Sequence, residues 1–304
     1  MERRGFIKKI GLSSAVLGFS GAASLPTFGR RKAEATFNMD FAPHFGTFKN
    51  SAPGGIYDEL KFMADQGFRS LEDNGLLKRS VEDQEKIGRL LNELGMTMGV
   101  FVIDGGDNWK PSLTTGKQEF MDTFLDTCRQ SVEAAKRVNA KWMTVVPGFY
   151  ERNLPMGIQT GHVIEAMRRG AEIFELHNLV MVLEPLSDTP DLFLRNADQT
   201  HMICKAVNSP SCKILYDIYH MQRNEGNIIA TMEKTWDEIA YIQIGDNPGR
   251  KEPGSGEINY ENVFKFIHEK GFEGIMGMEH GNANPGIEGE KALIAAYRKV
   301  DIKK

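Results

Sequence analysis

Four short apolar segments in the second half of the chain each end in a side chain that can bind a divalent cation. The segments and their last residues are LVMVLE with Glu184, KILYD with Asp217, AYIQ with Gln243 and GIMGME with Glu279. Each has the length and composition of a buried parallel strand, and a helix-like segment follows it. Since the carboxyl ends of parallel strands converge on one mouth in a (β/α)₈ barrel, we expect these side chains to meet there.

The first half of the chain continues the same alternation of strands and helices. TFNMDFAP, FRSLED, MTMGVFVI and KWMTVVPG have the composition of strands, and segments such as VEDQEKIGRLLNELG between them have apolar residues at helical spacing. We count eight strand–helix units, and no GxGxxG motif follows the first strand. The count favours a closed barrel over an open doubly wound sheet. The sequence therefore predicts the α/β class, with a single (β/α)₈ TIM barrel over residues 34–304.

Residues 1–33 are predicted to be an export signal and not part of the barrel. MERRGFIKK is basic and contains the pair Arg3 and Arg4, and the stretch IGLSSAVLGFSGAAS after it is weakly apolar and ends in small residues. The stretch is too short and too weakly apolar for a convincing transmembrane helix. The pattern resembles a twin-arginine signal. It predicts a periplasmic protein that the twin-arginine export machinery delivers, or a membrane-tethered one if the signal stays uncleaved; an accidental basic start is the alternative.

Charge and cysteine content exclude some classes of protein. The formal net charge of −4 gives no overall basic surface for nucleic acid, so we predict no nucleic-acid partner. The three cysteines are Cys128, Cys204 and Cys212, and an odd number argues against a disulfide framework. Cys204 and Cys212 flank a short turn and could pair only if their Cα atoms lie within about 7 Å.

The four strand-end side chains predict a metal site. Three carboxylates and one amide supply oxygen ligands of the kind that Mg²⁺ or Mn²⁺ prefers, without the thiolates and imidazoles that select Zn²⁺. Acidic residues also occur at strand ends simply because chains turn there. Four such side chains on four successive strands favour a site for one divalent ion per chain.

The motifs around these residues resemble a known family. Glu184 in LEPL, Asp217 in YDIYH, Gln243 in IQIGDNPGR and Glu279 in MEHG together resemble the xylose-isomerase-like TIM-barrel superfamily of sugar phosphate isomerases and epimerases. The segment YIQIGDNPGRKEPGSGEINYENVF is most similar to the hydroxypyruvate isomerase branch, including the glutamine where epimerase relatives usually carry histidine. The resemblance implies a divalent metal on these four residues, with Glu184 and Glu279 as the acid–base pair.

The chemistry of such a site is consistent with an isomerase. A divalent ion that binds a carbonyl oxygen and the neighbouring hydroxyl stabilises the enediolate left when the α proton is removed. Two carboxylates on opposite sides can then take a proton from one carbon and deliver it to the other. We therefore predict a metal-dependent aldose–ketose type isomerase of carbohydrate metabolism, acting on a small molecule such as hydroxypyruvate or a keto-sugar. Glu184 and Glu279 would transfer protons, while Asp217 and Gln243 would mainly anchor the ion.

Other residues near the strand ends are weaker candidates. Four are predicted to bind substrate: His220, Arg250, Glu72 and His44. Arg250 offers a planar fork of donors for a carboxylate or a pair of hydroxyls. Trp109 and Phe149 could supply an apolar wall, and Glu257 more readily orients the loop of Arg250 than takes part in catalysis.

Several alternatives remain open from the sequence. A sugar epimerase or a keto-polyol dehydratase would begin with the same removal of a proton, and a non-catalytic sugar-binding protein would not need both Glu184 and Glu279. A phosphodiesterase on this scaffold would need a histidine-rich zinc cluster, which the few histidines near the mouth do not provide. The sequence does not decide the substrate, the metal or whether the chain forms a homo-oligomer.

Overall fold

A computed structural model describes residues 35–104 and 106–302 of the chain. The predicted export signal, residues 1–33, lies outside the described residues and stays a prediction. The described residues all belong to one compact unit, Ala33–Lys304.

Nine short parallel strands form the inner wall of the fold. They are β1 (Asp40–Ala42), β2 (Ser70–Leu71), β3 (Thr97–Met98), β4 (Phe101–Val102), β5 (Trp142–Val145), β6 (Val180–Leu183), β7 (Cys212–Asp217), β8 (Ile239–Gln243) and β9 (Ile275–Gly277). Seven strands pair in the order β1-β9-β8-β7-β6-β5-β4, and β2 pairs with β3. Every described pairing is parallel. Because the first strand pairs with the last, the sheet curls as a barrel does.

The segment MTMGVFVI forms two strands and not the one that its apolar character predicts. β3 pairs with β2, whereas β4 pairs with β5, and Gly99 lies between them. A Cβ atom on Gly99 would lie 2.3 Å from the hydroxyl of Tyr241, so the backbone comes close to a side chain from the opposite wall. β1 and β2 meet through a parallel bridge between His44 and Glu72. The α/β class and the TIM barrel are confirmed, with the third strand of the barrel interrupted.

Nine α-helices lie outside the strands in the described residues. They are α1 (Ile56–Asp65), α2 (Val81–Leu94), α3 (Gln118–Val138), α4 (Met156–Glu175), α5 (Ala197–Val207), α6 (Ile218–Asn224), α7 (Ile228–Thr235), α8 (Tyr260–Glu269) and α9 (Gly286–Val300). The sequence pattern specifies α2 well: the Ser80 side chain accepts from the backbone N–H of Asp83, and Gly95 ends the helix in the left-handed conformation. Its buried Ile87 and Leu91 pack into the core.

The short helix α6 has a direct bearing on the mouth of the barrel. It begins immediately after β7, and the Asp217 carboxylate accepts from the backbone N–H of His220 at 3.1 Å. This cap fixes the side chain of Asp217 at the strand end and turns His220 back toward it.

All three cysteines are free and buried, so Cys204 and Cys212 form no disulfide here. Among the described helices, none has the length and apolar character needed to cross a membrane.

Candidate metal and active site

The four predicted ligands lie side by side at the carboxyl ends of neighbouring strands. Glu184 follows β6, Asp217 ends β7, Gln243 ends β8 and Glu279 lies two residues beyond β9. The register pairs Asp217 with Gln243 and Gln243 with Gly277. Since β6 to β9 are consecutive in the sheet, the strand order itself brings the four side chains to one part of the mouth.

Three of these side chains are carboxylates that converge in a buried place. Glu184, Asp217 and Glu279, together with His220, each present one atom suited to a metal, and these atoms all lie within 4.8 Å of one another. Asp217 is fully buried and Glu184 is 5% exposed. Buried carboxylates of like charge are costly unless a cation offsets them. The arrangement is therefore one that a divalent cation would stabilise.

Burial also alters the acidity of the two outer carboxyl groups. Burial raises the pKa of Glu184 well above its ordinary value, and the charges of Glu279 and Asp217 raise it further. Burial raises the pKa of Glu279 to about 7, although Arg250 opposes the shift. Both groups are thus more basic than exposed glutamates.

The side-chain amide of Gln243, the fourth predicted ligand, can turn either its oxygen or its nitrogen toward Glu184 and Glu279. In one orientation of the amide, its nitrogen lies 3.4 and 3.3 Å from the two oxygens of Glu72 and its oxygen faces Glu184 and Glu279. With the amide reversed, the nitrogen would donate to Glu184 Oε1 at 3.2 Å and to Glu279 Oε2 at 3.1 Å. The first orientation brings together three oxygen atoms, from Gln243, Glu184 and Glu279. Such a group is favourable when a cation lies among the oxygens.

Arg250 is the positive side chain that contacts these carboxylates. Its Nη2 lies 2.8 Å from Glu279 Oε2 and 3.1 Å from Asp217 Oδ2. The Arg250 backbone is in the left-handed conformation, with φ of 49°, and its N–H donates to the carbonyl of Asp246 at 2.7 Å. The predicted substrate-binding arginine thus touches two of the predicted metal ligands.

The loop that carries Arg250 is held by Asp246, which sequence reasoning missed. The fully buried Asp246 carboxylate accepts backbone N–H groups from Gly254 at 2.9 Å, Gly256 at 2.9 Å and Ile258 at 3.0 Å. The GD step after β8 was the available signal, because an aspartate often binds backbone N–H groups of a following loop. Glu257 accepts from Gln222 Nε2 at 3.2 Å and from the side-chain amide of Asn247 in the same loop.

His220 is fully buried, and its contacts define which ring nitrogen carries the proton. The backbone N–H of Ser187 donates to Nδ1 at 3.1 Å, so Nδ1 must be unprotonated. Burial lowers the pKa of His220, and in the neutral ring the proton is then on Nε2, because Nδ1 accepts from Ser187. Nε2 lies 3.6 Å from Asp217 Oδ2 and 3.9 Å from Glu184 Oε1. An Nε2–H has no lone pair for a metal, so His220 is suited to donate to a substrate oxygen.

His44 and Glu72 lie beside each other just beyond the ends of β1 and β2, joined by a parallel bridge. Glu72 is fully buried behind Gln243 and is not among the residues that line the mouth cavity. His44 Nε2 lies 2.6 Å from Glu72 Oε2, and His44 lines a neighbouring cleft instead. The Glu72 carboxylate contacts His44 and Gln243, and its contact with substrate stays a prediction.

The cavity above the carboxylates has a volume of about 320 Å³, and Glu184, His220, Arg250 and Glu279 lie in its wall. Its other walls include Asn74, Lys78, Asn108, Trp109, Thr144 and Asp188. The Trp109 ring meets Phe149 edge-on with centroids 6.4 Å apart, so Phe149 supports the wall from behind. Asn74, which sequence reasoning missed, donates to Glu279 Oε1 at 2.8 Å. A cavity of this size is within the range of small-molecule sites.

Comparison with known proteins places this geometry in a family. A sequence model described as xylose isomerase-like TIM barrel matches residues 60–300. Hydroxypyruvate isomerase of Escherichia coli strain K12 is 32% identical over 165 residues, which are 52% of this chain and 62% of that protein. The match thus spans less than two thirds of the E. coli protein's length. The 2-oxo-tetronate isomerase of Cupriavidus necator is 25% identical over 238 residues, 74% of this chain and 89% of that protein.

A solved structure shows the same fold at lower sequence identity. The 3-keto-D-glucoside 4-epimerase of E. coli superposes with a TM-score of 0.71 at 18% identity, covering 86% of this chain and 98% of that chain. The relatives named above confirm the predicted enzyme class, an isomerase. The family match covers most of the barrel, from within α1 to the end of α9. The chain belongs to the xylose isomerase-like TIM barrel family.

Proposed function

We propose that the chain is a divalent-metal-dependent isomerase of a small hydroxy-carbonyl compound, either a hydroxypyruvate-like keto acid or a keto-sugar. The observation that carries the proposal is the convergence of Glu184, Asp217 and Glu279 within 4.8 Å at one end of the barrel. The names of the isomerase relatives support the same class of reaction.

The cation would be held by Glu184, Asp217, Gln243 and Glu279. The donor set fits Mg²⁺ or Mn²⁺, because all four side chains offer oxygen once the Gln243 nitrogen is directed to Glu72. When bound, the ion supplies Lewis-acid stabilisation of negative charge on the substrate oxygens.

Glu184 and Glu279 are suited to move the proton. They follow β6 and β9, so the two strands that carry Asp217 and Gln243 lie between them. Their positions allow one carboxylate to accept a proton from one carbon and the other to deliver a proton to the next. Without a cation, burial raises the pKa of both groups above that of an exposed glutamate, and a bound cation would oppose this shift.

Neutral and positive groups in the wall would orient the substrate. The Nε2–H of His220 is directed into the cavity among Asp217, Glu184 and Asp188, where it can donate to a hydroxyl or carbonyl oxygen. Arg250 has further N–H groups beside those that contact Asp217 and Glu279. Its planar fork suits a carboxylate or two neighbouring hydroxyls.

An epimerase is the second candidate, because it uses the same exchange of a proton at a carbon next to a carbonyl. The E. coli epimerase structure has the same fold, so the fold is compatible with either reaction. A keto-polyol dehydratase would also start in this way but would expel a hydroxyl group. The products therefore distinguish the three reactions.

The test is a product screen with the full-length protein and Mn²⁺. The substrates are hydroxypyruvate, several ketoses and keto-polyols, and the solvent is deuterated water. We expect an isomerised product with deuterium at the α carbon of at least one substrate. Exchange without isomerisation but with inversion at one carbon would support the epimerase, and no exchange in any substrate would contradict the proposal.

We also propose that residues 1–33 direct the protein to the periplasm through the twin-arginine machinery. The support is the pair Arg3 and Arg4 before a weakly apolar stretch with small residues at its end. Cell fractionation should find shortened protein in the periplasm, and Arg3→Lys with Arg4→Lys should retain it in the cytoplasm. Full-length cytoplasmic protein, unaffected by the two substitutions, would contradict export.

A further inference from the structure

A fully buried carboxylate, Glu72, lies behind the proposed cation site. It is 0% exposed and comes directly after β2, whereas the proposed ligands lie at the ends of β6 to β9. A buried carboxylate is costly and persists only with good partners. His44 Nε2 lies 2.6 Å from Glu72 Oε2, and Gln243 Nε2 lies 3.4 Å from Glu72 Oε1 and 3.3 Å from Glu72 Oε2.

The barrel interior leaves room for this carboxylate by omitting side chains next to it. A Cβ atom on Gly277 would lie 1.8 Å from Glu72 Oε1, and one on Gly99 would lie 3.2 Å from Glu72 Cγ. Interior positions of such barrels usually carry bulky branched side chains that fill the space. Gly277 is therefore better explained by the space that the carboxylate needs, whereas the atom nearest to a Cβ on Gly99 is the Tyr241 hydroxyl, at 2.3 Å.

Glu72 can affect the proposed site through the orientation of one amide. A carboxylate only accepts hydrogen bonds, so it favours the Gln243 orientation in which the nitrogen faces Glu72. The reversed amide would donate to Glu184 and Glu279 and would place its oxygen against the oxygens of Glu72. Without the negative charge of Glu72, the reversed orientation would compete, and the proposed site would lose an oxygen ligand.

We propose that Glu72 is a positioning residue that holds the amide oxygen of Gln243 toward the cation. The inference rests on the proposed function, because it concerns the same metal site. His44 completes the arrangement from the other side, where its contact with Glu72 Oε2 restricts the direction of the carboxylate. Partners that orient metal ligands in this way typically change metal affinity by about 10–100-fold when they are removed.

The first experiment compares Mn²⁺ binding to the wild-type protein and to Glu72→Gln by titration calorimetry. The substitution keeps the shape of the side chain but gives it a donor, so we expect Mn²⁺ affinity to fall by about 10–100-fold. Glu59→Gln is the matched control, since Glu59 is also buried but accepts from the backbone of Gly46 and Phe48. Its Mn²⁺ affinity should equal that of the wild type.

A second pair of variants separates amide orientation from a general loss of structure. A carboxylate at position 243 presents an oxygen whichever way it turns, and Glu72→Gln removes its repulsion by Glu72, so adding Glu72→Gln to Gln243→Glu should not lower Mn²⁺ affinity. The pair also decides the question if Glu72→Gln alone fails to fold. Wild-type affinity in folded Glu72→Gln, or a tenfold loss in the Gln243→Glu background, would overturn the inference. No Mn²⁺ binding by the wild-type protein would instead refute the proposed metal site.

Discussion

The exposed carboxylate of Asp237 and the carboxylates at the barrel mouth have opposite surroundings. On the surface, Asp237 is 56% exposed and lies 2.8 Å from Lys205 Nζ and 2.9 Å from His201 Nε2. At the mouth, the fully buried Asp217 shares the guanidinium of Arg250 with Glu279. The surface carboxylate is satisfied by the chain itself. The carboxylates of the mouth are gathered in a way that favours an added cation.

The same contrast appears in their pKa values. Hydrogen bonds from Lys205 and His201 lower the pKa of Asp237 from 3.8 to about 2. Burial raises the pKa of Glu279 from 4.5 to about 7. Hydrogen bonds to positive side chains lower the pKa of Asp237, while desolvation raises the pKa of Glu279. Acidic residues that contribute to stability and acidic residues that form a site can therefore be told apart by their neighbours.

The largest effect is expected from the proton-transferring glutamates. Glu184→Gln or Glu279→Gln should lower kcat by roughly 10²–10⁴-fold even with excess Mn²⁺, because an amide keeps an oxygen for the ion but cannot accept a proton. The measurement is steady-state kinetics on the substrate that the product screen identifies. Gln243→Glu is the control and should retain measurable turnover. Near-normal kcat in both glutamine variants with metal bound would mean that other groups transfer the proton.

A second prediction concerns the stability that Arg250 gives to the mouth without metal. Arg250→Met leaves Asp217 and Glu279 without their guanidinium, so the free energy of unfolding should fall by about 3 kcal/mol in the presence of a chelator. Mn²⁺ should reduce the difference from wild type, since the ion offsets the same charges. Urea unfolding with chelator and with Mn²⁺ measures both values. An equal loss in the two conditions would show that Arg250 and the ion do not share a function.

The smallest effect is expected at the surface group. Asp237→Asn should lower the free energy of unfolding by only about 0.2–1 kcal/mol at pH 7, because exposed ion pairs contribute little. The folded pKa is lower than the unfolded one, so this contribution is present above pH 3.8 and is lost as the pH falls through about 2. Chemical unfolding at several pH values checks it. A loss of several kcal/mol, or a loss that grows below pH 2, would contradict the comparison.

The sequence was sufficient to predict the barrel and to place the four proposed ligands at its mouth. Parallel strands converge by geometry, so the residues that end β6 to β9 could be placed without any knowledge of loops. The interruption near Gly99 could not be predicted, because it depends on the Tyr241 hydroxyl from a distant strand. The position of Glu72 at a strand end was predicted, but its contact with Gln243 was not, because that contact joins residues 171 positions apart.

Contacts made by loops were the other part that the sequence did not reveal. Ser187 sets the protonated nitrogen of His220 from a segment 33 residues earlier in the chain. Asn74 reaches Glu279 across 205 positions. Such pairs form only when the barrel closes, and neither residue has a local pattern that marks it. Asp246 is the exception, since its bonds to nearby loop residues follow a local rule for aspartate.

The most direct test of the account is a calorimetric titration of the full-length protein with Mn²⁺, together with Asp217→Asn and Asp237→Asn. These variants make the same chemical change at the buried and the exposed carboxylate. The account predicts one Mn²⁺ per chain in the wild type and in Asp237→Asn, and loss of that binding in folded Asp217→Asn. Absence of Mn²⁺ binding in the wild type, or equal binding in both variants, would contradict the claim that the mouth carboxylates form a metal site.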